Sequence, residues 1–121
     1  MDEQIIVFVY GTLKRGFNNH RRFLSEGKFL GTAETEPLYR LYDCGPYPCM
    51  VADEKNGVSV RGELFEINDK ILQGLDYLEG VPHLYQRFPL KIKGESRKVQ
   101  GYLFQRGVGR FDDCGAEWPP A

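Results

Sequence analysis

Glu79 is the carboxylate whose surroundings in this sequence best suit proton transfer. It falls in the last turn of a predicted helix, directly before Gly80, where the carbonyl ends of the helix disfavour negative charge by about 0.3–1 kcal/mol. Asp76 lies near the same helical face and would repel Glu79 if both were ionised. Apolar neighbours add a third effect; these are Leu78, Val81 and Leu84. All three effects predict a pKa near neutrality, where one carboxyl group can both accept and donate protons. The alternative interpretation is an exposed glutamate at an unfavourable position.

A glycine loop after an apolar run is the second feature that could carry chemistry. Residues 5–9 predict a strand buried on both faces, and Gly11 and Gly16 mark the loop that follows. A phosphate-binding loop would need Lys and then Ser or Thr after the second glycine, but Phe17 and Asn18 occupy those positions. Nucleotide binding by that mechanism is therefore excluded. Two interpretations remain: an ordinary turn, or a nest of backbone N–H groups that binds an anion.

Other kinds of catalytic site find no support in the sequence. The cysteines and histidines match no zinc-ligand spacing, so we expect no metal site and no cofactor; these residues are Cys44, Cys49, Cys114, His20 and His83. No nucleophile-elbow sequence for a Ser-His-Asp or Cys-His site is present. A basic cluster is compatible with an anion patch, but the near-neutral net charge favours a solvated helix face. Its members are Lys14, Arg15, Arg21 and Arg22.

Composition narrows the class of protein and its partners. The 121 residues, 41% of them hydrophobic, suffice for one core, and we expect a single domain over residues 1–121. Sixteen basic and seventeen acidic side chains give a net charge of −1, which predicts no broad attraction to nucleic acid or to a membrane. Three cysteines form no even disulfide framework, and neither a secretory signal nor a membrane-spanning run is recognisable. We therefore expect a soluble cytoplasmic protein without an obligate protein partner.

Hydrophobic patterning predicts about seven strands and two short helices, an α+β fold dominated by strands. Strands are predicted at residues 5–9, 28–35, 38–42, 58–67, 84–93 and 98–105. Asn56-Gly57 is typical of a hairpin turn, and the apolar face changes near Gly62, which predicts a bulge. The short connections indicate a small closed or partly closed barrel. From residue 107 the pattern fades, so the tail 107–121 is either loosely attached or a docked arm.

Each predicted helix has start and stop signals. Asn19 can cap the first helix, at residues 20–26, and Gly27 would end it. Asn68 or Asp69 caps the second helix. Its buried face is a stripe at helical spacing, formed by Ile71, Leu72, Leu75 and Leu78. Gly80 ends this helix, which puts Glu79 at its carboxyl end.

Six segments carry a family resemblance. They are residues 7–16, Asn19-His20, Pro46-Tyr47-Pro48, Arg61-Gly62-Glu63-Leu64, residues 75–80 and Leu84-Tyr85-Gln86-Arg87. Together they resemble the gamma-glutamylcyclotransferase-like family over roughly residues 5–105. The most specific signal is a Tyr-Gly-Thr-Leu loop combined with a later Leu-Glu-Gly sequence, since either piece alone would be weak. The resemblance implies a small mixed β-barrel flanked by helices.

The resemblance also implies a reaction on a small gamma-glutamyl substrate. The α-amine of such a substrate attacks its own γ-carbonyl, which releases 5-oxoproline and a free amine without a metal or an organic cofactor. Glu79 matches the family's catalytic position, as general base and then general acid. The glycine loop would hold substrate oxygens through its backbone N–H groups. Two tyrosines near Glu79 would line the site and form hydrogen bonds. The expected substrate-binding residues are Tyr10, Gly11, Thr12, Leu13 and Tyr85.

Two further functions stay open. A non-catalytic domain that binds a small carboxylate or a gamma-glutamyl conjugate would use the same loop, although the intact Glu79 disfavours it. A purely structural interaction domain predicts no pocket where the first strand meets the second helix. If residues 111–118 cover the site, they could set the leaving-amine preference; a loose tail would leave the site open to bulky amines, including a lysine side chain.

Overall fold

The computed structural model describes residues 4–120, which contain eight strands and two helices joined by loops. In chain order they are β1 (Ile5–Val9), α1 (Asn18–Phe23), β2 (Lys28–Glu34), β3 (Tyr39–Asp43), β4 (Pro48–Ala52), β5 (Arg61–Ile67), α2 (Asp69–Leu78), β6 (Tyr85–Leu90), β7 (Val99–Phe104) and β8 (Asp112–Gly115). The predicted α+β class with two short helices is confirmed. Neither helix in this part of the chain has the length and apolar character needed to cross a bilayer.

β1 is the central strand of the larger sheet, whose order is β2-β5-β1-β7-β6. It pairs antiparallel with β5, with Val7 opposite Phe65, and parallel with β7. Its side chains alternate between two hydrophobic clusters: Ile6 and Phe8 belong to one, and Val7 and Val9 belong to the other. The predicted burial of this strand on both faces is therefore confirmed, because both faces of the sheet are covered.

The smaller sheet has the order β4-β3-β8 and is separate from the larger one within the described residues. Of the two predicted forms, a closed and a partly closed barrel, the closed one was therefore wrong. Instead, β4 lies beside β7, and the edges of the larger sheet touch only just beyond the ends of β2 and β6. There Glu36 N donates to Lys91 O and Lys93 N donates to Glu34 O, both at 2.9 Å. The larger sheet thus curls without closing.

α2 is built as the sequence predicts. The Asn68 side chain caps it by accepting from Ile71 N at 2.9 Å, which satisfies one of the free N–H groups of the first turn. Leu72 and Leu75 are buried in the cluster that holds Val7 and Val9. Gly80 follows the helix with φ of 62°, a conformation that favours glycine and ends the helix.

α1 differs from its prediction. It begins at Asn18 rather than at residue 20, and Phe17, not Asn19, is at its N-cap position. Asn19 lies inside the helix, where its Nδ2 atom donates to Thr12 Oγ1 at 2.8 Å. Because this side chain is engaged with the glycine loop, it does not cap the helix.

The hairpin predicted at Asn56-Gly57 was wrong. β4 pairs with β3, which precedes it in the chain, and the turn after β4 is closed by Asp53, whose Oδ1 accepts from Asn56 N at 2.9 Å. The chain then meets β3 through a single bridge between Val58 and Tyr39 before it enters β5. Asn56-Gly57 therefore connects two strands that lie in different sheets.

The bulge expected at Gly62 was also wrong. The register shift between β2 and β5 lies on β2, between Phe29 and Gly31. Gly62 permits close packing instead, since a Cβ there would lie 2.4 Å from Val9 O. The apolar face changes because both faces of β5 are covered: Leu64 packs in the cluster that holds Ile6 and Phe8, and Phe65 packs in the cluster that holds Val7 and Val9.

Residues 112–118 are docked rather than loose. β8 pairs with β3, with Tyr42 opposite Asp113, and Trp118 is only 6% exposed. Arg61 N also donates to Ala116 O at 2.8 Å. Of the two alternatives for the tail, the docked arm is therefore the one that residues 112–118 form.

A disulfide joins Cys44 to Cys49 across the turn between β3 and β4, and Cys114 is free. The sequence-based expectation of no disulfide framework missed this bridge, because an odd number of cysteines still allows one pair. The bridged turn carries Tyr47 and Pro48, which reappear in the functional site.

Candidate active site

A cavity of about 110 Å³ opens where β1 and α2 end. Its walls come from the loop after β1, the start of α1, the turn before β4, the end of α2 and the strands β6 and β7. All six residues predicted for the site line it: Tyr10, Gly11, Thr12, Leu13, Glu79 and Tyr85. A purely structural domain predicted no pocket at this junction, so that alternative is contradicted.

The glycine loop lines the cavity and has backbone donors without a partner. The N–H groups of Gly11, Thr12 and Leu13 have no hydrogen-bond acceptor anywhere in residues 4–120. Their carbonyl groups are all engaged: Lys14 N donates to Gly11 O, and His20 contacts both Thr12 O and Leu13 O, within 3.1 Å in each case. The loop is therefore fixed through its acceptors, and its donors stay available for a ligand.

Gly11 is required by packing on the neighbouring turn. A Cβ at this position would lie 2.6 Å from both Cδ and Cγ of Pro48, closer than carbon atoms pack. The missing side chain lets the Pro48 ring rest against the loop.

Glu79 follows α2 and lines the cavity. Burial raises the pKa of its carboxyl group from 4.5 to about 7. The repulsion predicted from Asp76 was wrong, because Asp76 forms an ion pair with Arg87 and accepts from Tyr102 Oη at 2.7 Å. The apolar enclosure, which includes Leu78 and Leu84, is the physical cause of the shift.

The raised pKa of Glu79 predicts that stability falls as pH increases. Ionising the buried carboxyl group disfavours the folded state. The protonated group therefore contributes fully to the free energy of unfolding below pH 4.5, and this contribution is lost as the pH rises through about 7. The loss is at most about 3 kcal/mol, since one pKa unit corresponds to about 1.4 kcal/mol. Urea unfolding of the wild type and of Glu79→Gln at about pH 5 and about pH 8 measures it. Between the lower and the higher pH, the wild type should lose unfolding free energy relative to Glu79→Gln. An equal difference between the two proteins at both pH values would contradict the raised pKa of Glu79.

Tyr10 and Tyr85 are buried, and each hydroxyl donates its only proton to a backbone carbonyl. Tyr10 Oη donates to Tyr102 O at 2.5 Å, and Tyr85 Oη donates to Pro48 O at 2.7 Å. Burial first, and then neighbouring negative charge that includes Glu79, raises the pKa of both phenols well above the usual value. Both groups therefore stay protonated and offer only oxygen lone pairs to the cavity.

Sequence reasoning left eight lining residues out of the site, and four of these shape its polar contacts or its packing: Asn19, Tyr47, Pro48 and Tyr102. Asn19 was interpreted as a helix cap, although it lies in a segment of the family resemblance. The role of Tyr102 depends on contacts between elements far apart in the chain. Its carbonyl holds Tyr10, and its hydroxyl reaches Asp76 on α2.

The cavity has two chemically different parts. Backbone N–H donors lie on one loop, while Glu79, Tyr10 and Tyr85 supply a carboxyl group and oxygen acceptors. Among the described residues that line it, none carries an ammonium or guanidinium group. In residues 4–120 no group of three His, Cys, Asp or Glu side chains is placed to hold a metal ion. Such a site can bind a small molecule that has both an anionic oxygen and an N–H donor, and it can transfer protons through one carboxyl group.

Comparison with known proteins gives concordant matches. The profile of the family described as gamma-glutamyl cyclotransferase, AIG2-like, matches residues 7–118. Human gamma-glutamylaminecyclotransferase is 39% identical over 98 residues, which cover 73% of this chain and 61% of the human protein. A Vibrio cholerae relative, whose name assigns it only provisionally as a gamma-glutamylcyclotransferase, is 45% identical over 84 residues, 69% of this chain and 70% of that protein.

A solved structure agrees with these sequence matches. The crystal structure of a mouse AIG2-like protein superposes with a TM-score of 0.71 at 32% identity, covering 88% of this chain and 79% of the mouse chain. The match therefore includes the fold as well as the sequence motifs. Since the family profile spans most of the chain and includes both the glycine loop and Glu79, this protein belongs to the gamma-glutamyl cyclotransferase, AIG2-like family.

Proposed function

We propose that this protein is a gamma-glutamylamine cyclotransferase, which releases 5-oxoproline and a free amine from a gamma-glutamyl amine. Family membership supports an enzyme of the gamma-glutamylcyclotransferase type. The observation that carries the finer proposal is a carboxyl group with a pKa of about 7 that shares one cavity with three unpaired backbone N–H groups. No cofactor is part of the proposal.

Glu79 acts as base and then as acid in this scheme. Its carboxylate takes a proton from the substrate's α-ammonium, and the neutral amine attacks the γ-carbonyl carbon. A new C–N bond forms, and the carbonyl electrons move onto oxygen. Glu79 then gives the proton to the leaving nitrogen, the original C–N bond breaks, and the ring nitrogen loses its second proton. Two protons thus pass from the attacking nitrogen to the leaving nitrogen, which departs as an ammonium ion.

The unpaired amides supply the electrostatic part of the mechanism. Two oxygen groups of the substrate need donors: the α-carboxylate throughout and the oxyanion in the transition state. The N–H groups of Gly11, Thr12 and Leu13 are fixed before a ligand arrives, so they need no reorganisation during the reaction. Orienting an amine beside its own carbonyl contributes about 7–11 kcal/mol, and acid–base assistance adds roughly 10²–10⁴-fold. Positioning is therefore the larger effect.

Tyr85 is proposed to accept a hydrogen bond from the substrate's α-ammonium, because its own proton is committed to Pro48 O. Tyr85→Phe should raise KM about tenfold or more, with a smaller change in kcat, since a hydrogen bond to a charged group contributes about 1.5–3 kcal/mol. Steady-state kinetics of 5-oxoproline release measure both constants. Tyr42→Phe is the matched control, because Tyr42 is partly buried and does not line the cavity. An unchanged KM in Tyr85→Phe would contradict this role.

The leaving group is proposed to be an amine without a carboxylate. The cavity lining within the described residues offers no cationic side chain to pair with one. Residues 111–118 do not line the cavity, which leaves its mouth open to an extended amine such as a lysine side chain. Gamma-glutamyl alkylamines and gamma-glutamyl-ε-lysine should therefore have higher kcat/KM than gamma-glutamyl amino acids that carry a free leaving-group carboxylate.

Mass spectrometry of 5-oxoproline after incubation with this substrate panel tests the proposal. Turnover of the amines supports it. If no member of the panel is turned over while calorimetry detects binding of 5-oxoproline or glutamate, the non-catalytic binding domain is the better explanation. A preference for gamma-glutamyl amino acids would overturn the amine assignment but keep the cyclotransferase reaction.

A further inference from the structure

The docked arm, residues 112–118, lies outside the cavity, but Trp118 contacts both loops that form its walls. On one side, Lys14 Nζ donates to Trp118 O at 2.5 Å, and the Phe17 ring centroid lies 5.7 Å from that of the indole. Lys14 directly follows the three unpaired amides of the glycine loop. Trp118 therefore contacts the segment that directly follows this loop, although it does not line the cavity itself.

Trp118 also contacts the turn between β3 and β4, which forms another wall of the cavity. Its Nε1 atom donates to Asp43 Oδ1 at 3.1 Å. The same oxygen accepts from Gly45 N at 3.0 Å, so Asp43 links the indole to the beginning of the turn that contains Tyr47 and Pro48. The arm thus joins two segments that are more than twenty-five residues apart in the chain.

The spacing between these two segments sets the geometry of the cavity. The Pro48 ring fills the space that a Gly11 side chain would occupy, so the glycine loop and the turn are in direct contact. A small separation of the two would move the amides relative to Tyr85, whose hydroxyl is bound to Pro48 O. Trp118 is 6% exposed, and the arm before it is held by the backbone hydrogen bond from Arg61 N to Ala116 O at 2.8 Å.

We propose that Trp118 is a positioning residue, which fixes the distance between the glycine loop and the 43–48 turn and thereby the geometry of the active site. It touches neither the cavity nor a substrate in it, and it acts through Lys14 and Asp43. The structural part of this inference stands on the contacts alone. Its effect on turnover rests on the proposed function.

Hydrogen–deuterium exchange tests the structural part without any substrate. In Trp118→Ala, amides in residues 10–16 and in residues 43–48 should exchange faster than in the wild type, while those of α2, which makes no hydrogen bond to the arm within residues 4–120, should not change. Lys14→Met removes the donor to Trp118 O together with the ammonium group that lies 5.5 Å from the Phe17 ring centroid, and it serves if Trp118→Ala does not fold. It should speed exchange in residues 10–16. Unchanged exchange in both segments would overturn the inference.

Kinetics test its consequence for turnover. Lys14→Met should lower kcat/KM for a gamma-glutamyl alkylamine about 10- to 100-fold, because misplacing reacting groups by a fraction of an ångström to 1 Å has effects of this size. Lys14→Arg keeps a donor and should recover most of the loss. Lys93→Met is the matched control, since Lys93 makes only an exposed ion pair with Glu34. Wild-type inactivity would count against the proposed function, whereas an active wild type with an equally active Lys14→Met would count against this inference.

Discussion

Glu79→Gln will bind 5-oxoproline as the wild type does but will lose turnover. The amide keeps the size of the side chain and cannot exchange a proton with either substrate nitrogen. We expect kcat to fall by about 10²- to 10⁴-fold, which is the usual contribution of general acid–base catalysis. Release of 5-oxoproline measures the rate, and calorimetry measures whether the binding site is preserved.

A matched control separates this effect from a general change of charge. Glu54 is exposed on the turn after β4 and is not part of the cavity lining, so Glu54→Gln should retain full activity. If Glu79→Gln kept more than a tenth of the wild-type rate, Glu79 would not be the proton-transfer group. Loss of 5-oxoproline binding in the same variant would instead show that the carboxyl group is needed to hold the ligand.

Gly11→Ala should damage both activity and stability. The added Cβ would lie 2.6 Å from two atoms of the Pro48 ring, and this ring cannot turn aside as a flexible side chain would. Pro48 is also held by Tyr85 Oη through its carbonyl, so the glycine loop must move. We expect a loss of about 1–3 kcal/mol in unfolding free energy, as for other overpacked sites. Displaced amides should lower kcat/KM about 10²-fold.

Gly107→Ala is the control for this substitution. Nothing lies within 4 Å of a Cβ at Gly107, and its backbone is not in the left-handed region. That variant should have wild-type kinetics and equal or slightly higher stability, because alanine restricts the unfolded chain. Urea unfolding and steady-state kinetics of the two alanine variants give the comparison. Wild-type kcat/KM in Gly11→Ala would show that the position of the amides is not critical.

The features that local sequence predicted correctly depend on neighbours within one or two turns. In α2, the Asn68 cap, the Leu72 and Leu75 stripe and the Gly80 stop all act over a few residues. β1 is recognisable because a continuous apolar run is typical of a strand covered on both faces. These two elements end at the cavity, which is why the sequence identified residues that the fold brings together.

The features that sequence patterns could not predict depend on partners from distant segments. Asp76 was expected to repel Glu79, but its charge is paired with Arg87 on β6 and its other oxygen is taken by Tyr102 on β7. Asn19 has the residue type of a helix cap, yet it bonds Thr12 across a loop. The smaller sheet includes β8 because this late strand pairs with β3, a pairing that no local pattern encodes.

The first strand of the chain is also the centre of the larger sheet, and this order has a consequence for biosynthesis. Until the ribosome has produced β7, Ile5–Val9 has no parallel neighbour, because its parallel partner begins only at Val99. The walls around the glycine loop come from positions as late as Tyr102. A fragment that ends before β7 therefore lacks part of these walls, and the apolar β1 strand stays without its parallel partner until Val99–Phe104 has emerged.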